Sequence, residues 1–328
     1  MRCISRAKSA ALVCVASISL FTGGCIGGKG ATPVTAYELK NYNQDLYQGK
    51  LYAEELCVAQ NDVALQGYTE DNELHSAALF DLTGERVLYS YKAHERLYPA
   101  STTKIMTALL AIENANLDDQ VTISGNADAS SFPADAQVCG LAKGEVWTLR
   151  DLLGALLLYS GNDAATAIAE YVGGSEEAFV NMMNRRAQEL MANGTHFMNP
   201  HGLHDDNHYT TAYDLYLIFN ECIKHEDFVN IIQSEAYTAY YTDVDGNSQE
   251  ALFTPTNLYA QGEVDVPENV TIVGGKTGTT DEAGYCLILM EKDSSDNPYI
   301  SIVMGASEKP VLYEDMTSLI EAIPSGQQ

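Results

Sequence analysis

Strand-like segments at both ends of the chain enclose a middle that is patterned for helices, and this arrangement limits the folds the chain can adopt. Residues 75–82 and 85–91 are mostly apolar or aromatic and flank a Thr-Gly turn, which is typical of a β-hairpin. Strand patterns return much later, over residues 270–278, 284–292 and 299–305. Segments so far apart share one sheet when the intervening helices pack on it. We therefore predict an α/β (α+β) fold with an antiparallel five-stranded sheet flanked by helices.

Apolar residues recur at helical spacing in the middle of the chain and again near its end. The predicted helices cover residues 101–112, 148–159, 164–171, 176–192, 212–222 and 312–323. With 46% hydrophobic and 19% charged residues, the chain has the composition of a globular protein. No internal repeat and no change of composition marks a second domain, and we expect one main domain over residues 73–325.

The N-terminus has the pattern of an export signal. A positively charged start precedes an apolar stretch over residues 10–21, which is too short to span a bilayer comfortably. The small residues that end in Cys25 resemble a bacterial lipoprotein processing site, although Thr22 stands where such sites usually carry an aliphatic residue. We expect residues 1–24 to be a signal peptide, Cys25 to be lipidated, and residues 25–72 to be a tether and lead-in. Ordinary secretion and an uncleaved anchor are the alternatives.

The net charge of the chain limits the classes of molecule that it can bind. A formal net charge of −27 at pH 7 argues against nucleic acid and anionic lipid, because phosphate binding needs clustered Lys and Arg. We expect an exported protein at the outer face of the cytoplasmic membrane or in the cell wall, in contact with the membrane only through its lipid.

Four further cysteines are widely spaced and show no Cys-x-x-Cys metal pattern: Cys57, Cys139, Cys222 and Cys286. Disulfides and single thiols both stay open at this point.

The first motif with chemical content is Ser-x-x-Lys, at Ser101 and Lys104, two residues after Pro99. Pro99 favours a helix start at this place, and residues three apart on a helix lie on one face. The Ser101 hydroxyl and the Lys104 amine therefore become neighbours. A serine beside an amine at a helix N-terminus is a candidate nucleophile for acyl transfer. An ordinary capping serine with a solvated lysine is the alternative.

Two further motifs follow in the chain. Ser160-Gly161-Asn162 forms a polar break between two predicted helices, and Lys276-Thr277-Gly278 lies inside a predicted strand. Glycines in a strand indicate that something approaches its backbone closely, for example a peptide that pairs with the strand edge. A nucleotide-binding loop is excluded, because the glycine required five residues before Gly275 is Val270.

These three motifs, in this order, resemble those of penicillin-binding proteins and serine β-lactamases. The surrounding sequences are more similar still to the D-alanyl-D-alanine carboxypeptidase family. The segments that carry this resemblance are Pro-Ala-Ser-Thr-Thr-Lys, Tyr-Ser-Gly-Asn-Asp-Ala-Ala, Asn-Pro-His-Gly-Leu and Gly-Lys-Thr-Gly-Thr-Thr. The resemblance extends from about Leu74 to Ile323 and implies a β-lactamase/DD-peptidase-like fold with an all-helical subregion. Many members of the family also carry a C-terminal β domain, which we do not expect here.

The resemblance implies a role for each catalytic residue. Ser101 attacks the carbonyl between two D-alanines, and Lys104 accepts its proton. Ser160 relays a proton to the departing D-alanine, while Asn162 orients Lys104 or the substrate amide. The backbone N–H groups of Ser101 and Thr279 form the oxyanion hole.

The substrate-binding residues are expected in the late strand. No arginine follows Arg186, so Lys276 is the candidate cation for the terminal carboxylate of the substrate, with help from Thr277, Gly278 and Thr279. The expected partners are a peptidoglycan stem pentapeptide as substrate and β-lactam antibiotics as inhibitors of a monomeric enzyme. No cofactor and no metal is expected, because the histidines of residues 201–208 lie in a loop and lack His-Glu-x-x-His spacing.

Two other functions fit the same motifs. A class A-like β-lactamase needs a glutamate for deacylation, and Glu189 stands four residues before Asn193, as in that enzyme class. However, Glu189 falls within a predicted helix, and Ala192 and Gly161 depart from the pattern of that class. A catalytically idle surface protein that binds ligands with this fold is the second alternative.

Overall fold

The computed structural model describes residues 55–65 and 76–324. The predicted signal peptide over residues 1–24 and the predicted lipidation site at Cys25 lie outside the described residues, as does most of the predicted tether. Within the described part, no helix has both the length and the apolar character needed to cross a membrane.

A five-stranded antiparallel sheet joins early and late segments of the described chain, as predicted from the sequence. Its strands are β1 (Ser76–Asp81), β2 (Arg86–Tyr91), β7 (Val270–Thr280), β8 (Gly284–Asp293) and β9 (Pro298–Ala306), in the order β2-β1-β9-β8-β7. The junction between early and late strands is the β1–β9 pair, in which Ala78 lies opposite Ile302. Strand β7 therefore stands at one edge of the sheet, where its motif can face a cleft.

Helices cover the described chain between and after these strands. The helices are α1 (Lys104–Asn114), α2 (Leu149–Gly154), α3 (Asn162–Gly173), α4 (Glu176–Glu189), α5 (Ala212–Cys222), α6 (Glu226–Ile232), α7 (Leu258–Gln261) and α8 (Lys309–Glu321). Helix α2 is capped by Thr148, whose side chain accepts a hydrogen bond from Asp151 N, and it continues as a π turn over Ala155–Tyr159. Helices α6 and α7 are not predicted from the sequence.

Both faces of the five-stranded sheet are buried, and this explains the nearly continuous apolar runs in its strands. On one face, Phe80 stacks on Tyr216 of α5 with ring centroids 4.0 Å apart, within a core that also contains most of α1. On the other face, Leu79 and Leu289 pack in the core that contains Met316 of α8. Helix α1 is thus enclosed between the sheet and the other helices, and its first residue, Lys104, is buried with it.

A second, four-stranded antiparallel sheet is absent from the sequence-based prediction. It consists of β3 (Gln120–Thr122), β4 (Val146–Thr148), β5 (Tyr237–Thr242) and β6 (Ser248–Phe253), in that order. The hairpin of β5 and β6 turns at Asp245-Gly246. Two of the strands have three residues each, and β6 is largely exposed, so neither hydrophobic periodicity nor length marks this sheet.

The four cysteines of the described part are free thiols. Cys57, Cys222 and Cys286 are buried, and Cys139 is half-buried. These residues therefore act as small core side chains, which settles the question that their spacing leaves open.

Candidate active site

The start of α1 places the serine and the lysine of the first motif side by side. A 3-10 turn over Ala100–Thr103 leads into the helix, and three residues per turn align Ser101 directly with Lys104. Lys104 Nζ lies 2.9 Å from Ser101 Oγ. Ala100 has a positive φ of 47°, and the loop with Gly202 packs tightly on it, since a Cβ on Gly202 would lie 1.9 Å from the Ala100 oxygen.

Lys104 is fully buried and is surrounded by oxygen atoms. Its Nζ donates to Asn162 Oδ1 at 2.7 Å and to the His201 carbonyl at 2.6 Å, in addition to the contact with Ser101. Burial, and secondly the positive charge of Lys276, hold the pKa of Lys104 well below its ordinary value of 10.5. A neutral amine has two hydrogens and one lone pair. Because Asn162 Oδ1 and the carbonyl can only accept, the two hydrogens go there and the lone pair is left for the Ser101 hydroxyl.

Ser160 lies at the end of the π turn with a left-handed backbone, at φ 70°. Its Oγ accepts a hydrogen bond from Lys276 Nζ at 2.9 Å, and the same amine donates to the Thr277 carbonyl at 2.9 Å. Burial lowers the pKa of Lys276 to about 7. The second and third motifs are thereby joined by a direct hydrogen bond between their side chains.

Strand β7 passes very close to the start of α1. A Cβ on Gly278 would lie 2.9 Å from the Pro99 oxygen and 3.0 Å from Ser101 N, so only glycine fits without a shift. The next residue along β7 is Thr279, whose N–H is the second expected donor of the oxyanion hole. The close approach at Gly278 brings the two expected donors to the same part of the molecule.

The motif residues meet at one open cleft with a volume of about 1000 Å³. Its lining includes the predicted residues Ser101, Ser160, Asn162, Thr277, Gly278 and Thr279. The amines of Lys104 and Lys276 lie just beneath this surface, through their contacts with Ser101 and Ser160. Thus all eight residues that the sequence nominates as catalytic or substrate-binding are brought together.

Three contributors to the site are absent from the sequence-based prediction. They are the His201 carbonyl, which binds Lys104; Thr256, which lines the cleft; and Asp163, which is fully buried. The Asp163 carboxylate accepts hydrogen bonds from the backbone of Cys139, Gly140, Leu141 and Ala164. It thereby fixes the loop that packs on the Ser160-Gly161-Asn162 turn. His201 and Asp163 lie in segments that carry the family resemblance, whereas Thr256 has no signal in the sequence.

The histidines near the site have structural partners. His208 Nδ1 accepts from Met198 N at 3.1 Å, which leaves the hydrogen on Nε2 for Thr103 Oγ1 at 2.8 Å. Burial lowers the pKa of His208 to about 4 and that of His201 to about 3, so both rings are neutral at pH 7.

A cluster of side chains with metal-ligand atoms, formed by Glu113, Glu221 and His225, lies elsewhere in the described part. Its two carboxylates are already paired with Arg186 and with Lys224. These cations occupy the oxygens that a metal ion would need.

Glu189, the candidate deacylation base of a β-lactamase, is not placed at the cleft. It is the last residue of α4, is exposed, and forms an ion pair with Arg186 at 3.4 Å. Its carboxylate is therefore not available to activate a water next to Ser101.

Comparison with known proteins gives consistent matches. The family model described as D-alanyl-D-alanine carboxypeptidase matches residues 65–308. The D-alanyl-D-alanine carboxypeptidase DacF of Bacillus subtilis is 34% identical over 255 residues, which is 76% of this chain and 62% of that protein. The corresponding enzyme of Streptomyces sp. strain K15 is 32% identical over 244 residues, which is 71% of this chain and 81% of that protein. The chain spans about 60% of the length of the curated relatives that it matches first.

Solved structures agree with these sequence matches. The crystal structure of the Streptomyces K15 DD-transpeptidase is 28% identical and superposes with a TM-score of 0.71, over 78% of this chain and 98% of that chain. Penicillin binding protein 5 from Haemophilus influenzae is 27% identical, with a TM-score of 0.68, over 78% of this chain and 72% of that one.

Proposed function

The chain belongs to the D-alanyl-D-alanine carboxypeptidase family, and we therefore propose that it removes the terminal D-alanine from peptidoglycan stem pentapeptides through an acyl-enzyme on Ser101. The observation that carries the proposal is the contact of Ser101 Oγ with Lys104 Nζ, at 2.9 Å, in a cleft that also holds the Ser160–Lys276 pair. This arrangement provides a nucleophile, a base, a proton relay and a cation for the carboxylate of the substrate.

Acylation begins when Lys104 removes the Ser101 proton. Ser101 Oγ attacks the carbonyl carbon between the two D-alanines, and the backbone N–H groups of Ser101 and Thr279 stabilise the oxyanion. Each such donor is typically worth about 3 kcal/mol. Collapse of the tetrahedral intermediate breaks the C–N bond and leaves an ester on Ser101.

The leaving D-alanine needs a proton on its nitrogen. Ser160 is placed to relay the proton taken from Ser101, because its hydroxyl faces the cleft and is oriented by Lys276. Water then attacks the ester, with Lys104 again as the base, and Ser101 regains its proton. A β-lactam would acylate Ser101 in the same way, and without a glutamate such as Glu189 near the ester its hydrolysis should be slow.

The test combines labelling with product release. Fluorescent penicillin should label the wild-type protein and not Ser101→Ala, and the wild-type protein should release D-alanine from a stem pentapeptide. Absence of labelling would disprove the catalytic mechanism and favour a ligand-binding protein. Rapid turnover of penicillin would instead support a β-lactamase.

Transfer of the acyl group to an amine is a second candidate, favoured by the match to 98% of the Streptomyces K15 DD-transpeptidase. In that case an added D-amino acid or glycine should divert the acyl group from water into a new peptide. The ratio of transfer product to hydrolysis product, measured by chromatography, separates the two activities.

We further propose that Cys25 carries a lipid that holds the enzyme on the outer face of the cytoplasmic membrane as a monomer. The support is the sequence around residues 10–25 alone. Mass spectrometry of the mature N-terminus, with Cys25→Ser as the control, tests the lipid, and sedimentation of the detergent-solubilised enzyme tests the monomer.

A further inference from the structure

A hydroxyl from outside the three motifs reaches the cleft beside the Lys-Thr-Gly strand. Thr256 lies between β6 and α7 and lines the cleft together with Thr277 and Ser101. Its Oγ1 lies 2.5 Å from Thr277 Oγ1, the distance of a short hydrogen bond between two hydroxyl groups. This bond connects a residue of unassigned role with a residue expected to hold the substrate carboxylate.

The backbone around Thr256 is held in place by its neighbours. Three hydrogen bonds fix this turn: Asn257 Oδ1 accepts from Ala260 N at 2.8 Å, Gln261 Nε2 donates to the Pro255 carbonyl at 2.9 Å, and Leu258 N donates to Tyr313 Oη at 2.9 Å. Asn257 and Pro255, the two chain neighbours of Thr256, are buried. The Thr256 hydroxyl is therefore pre-positioned and need not be ordered when a ligand binds.

The number of hydrogens decides what this pair can do. Two hydroxyl groups carry two hydrogens, and one of them lies between the two oxygens. Whichever threonine donates it, the other hydroxyl keeps one hydrogen for a third partner in the cleft. The pair thus offers one donor to an acceptor, and donation within the pair polarises that donor.

We propose that Thr256 is a positioning residue for recognition of the substrate carboxylate: it orients the Thr277 hydroxyl, and the two threonines together donate one hydrogen bond to that carboxylate. This inference rests on the proposed function. The pair also supplies a fixed donor to a cleft whose described lining contains no arginine. Burial lowers the pKa of Lys276 to about 7. The neutral donor of the threonine pair attracts the substrate carboxylate whether or not that amine is charged.

The experiment compares acylation of Ser101 by benzylpenicillin and by its methyl ester, which lacks the carboxylate charge. Thr256→Val preserves shape and removes the hydroxyl that orients Thr277, and it should slow acylation by the acid about threefold to tenfold, the range for loss of one neutral hydrogen bond. Acylation by the ester should change less than twofold. Thr256→Ser should restore the wild-type rate, and Thr254→Val, at an exposed neighbour in the same turn, should behave like wild type.

The ratio of the acid rate to the ester rate within one variant is independent of the fraction of folded protein. An unchanged ratio in Thr256→Val overturns the proposal, whether both rates fall together or neither does. The assay uses penicillin and not the stem peptide. Failure of D-alanine release in the wild-type protein would therefore count against the proposed function without changing the role assigned to Thr256.

Discussion

Two fully buried lysines lie under the same cleft, at the start of helix α1 and in the edge strand β7, with 0% and 1% of their surface exposed. Lys104 contacts three oxygen atoms, one of which is the nucleophile, whereas Lys276 contacts the Ser160 hydroxyl and its own neighbouring carbonyl. Burial lowers the pKa of both. Only Lys104 is further lowered by a second cation, which is Lys276. Their surroundings therefore suit Lys104 to act as a neutral base and leave Lys276 a cation below pH about 7.

Removal of Lys104 should have the largest effect on the chemistry. We expect Lys104→Ala to slow acylation of Ser101 by fluorescent penicillin about 1000-fold, because a positioned general base typically contributes 10²–10⁴-fold. Stopped-flow or gel-based labelling measures the rate, with Lys143→Ala, an exposed lysine, as the control. A loss of less than tenfold would mean that another group accepts the Ser101 proton.

Removal of Lys276 should act mainly on binding of the carboxylate. Lys276→Ala should reduce kcat/KM for a D-Ala-D-Ala peptide about 100-fold, the upper range for a charged hydrogen bond, and should slow acylation by a penicillin methyl ester much less. Thermal unfolding reports any effect on folding. Equal losses for the acid and the ester would show that Lys276 serves the proton relay and not the carboxylate.

The pH dependence of acylation should separate the two amines. The reaction needs neutral Lys104, so its rate rises with pH through the lowered pKa of Lys104. Penicillins with a free carboxylate also need protonated Lys276. Their acylation rate should therefore fall above pH about 7, by up to about tenfold per pH unit. The methyl ester should lack most of this alkaline decrease. If the acylation rates of the acid and the ester decrease equally at alkaline pH, Lys276 is not the charge that distinguishes the two compounds.

Removal of the Asp163 charge should have the smallest effect on acylation. This charge raises the pKa of Lys104, whereas burial and Lys276 lower that pKa by more. Asp163→Asn should lower the pKa of Lys104 further. The acylation rate should then begin to rise at a lower pH than in the wild-type protein. It should also reduce the free energy of unfolding by about 2 kcal/mol, because buried N–H groups lose a charged acceptor. Asp135→Asn, an exposed carboxylate of the same cleft, is the control; an identical shift there would point to general charge effects.

The sequence predicts the first motif well because its geometry is local. Three-residue spacing at a helix start places Ser101 beside Lys104, and the structure tightens this through the 3-10 turn. The predicted strands of the five-stranded sheet and the predicted helices also agree with the structure to within a few residues. Long apolar runs mark these strands, and helical periodicity marks the helices. The small sheet of β3 to β6 is missed, because its short or exposed strands depend on pairing with distant segments.

Sequence alone determined the residue types, their order along the chain, and the expectation that one cleft unites them. Tertiary structure decided how the two lysines differ, because burial of both amines and the effect of the Lys276 charge on Lys104 arise only when α1 and β7 meet. It also added the His201 carbonyl, the Asp163 carboxylate and Thr256, which lie outside the three catalytic motifs. Backbone carbonyls carry no sequence signal, and a hydroxyl becomes a partner only when folding brings another within about 3 Å.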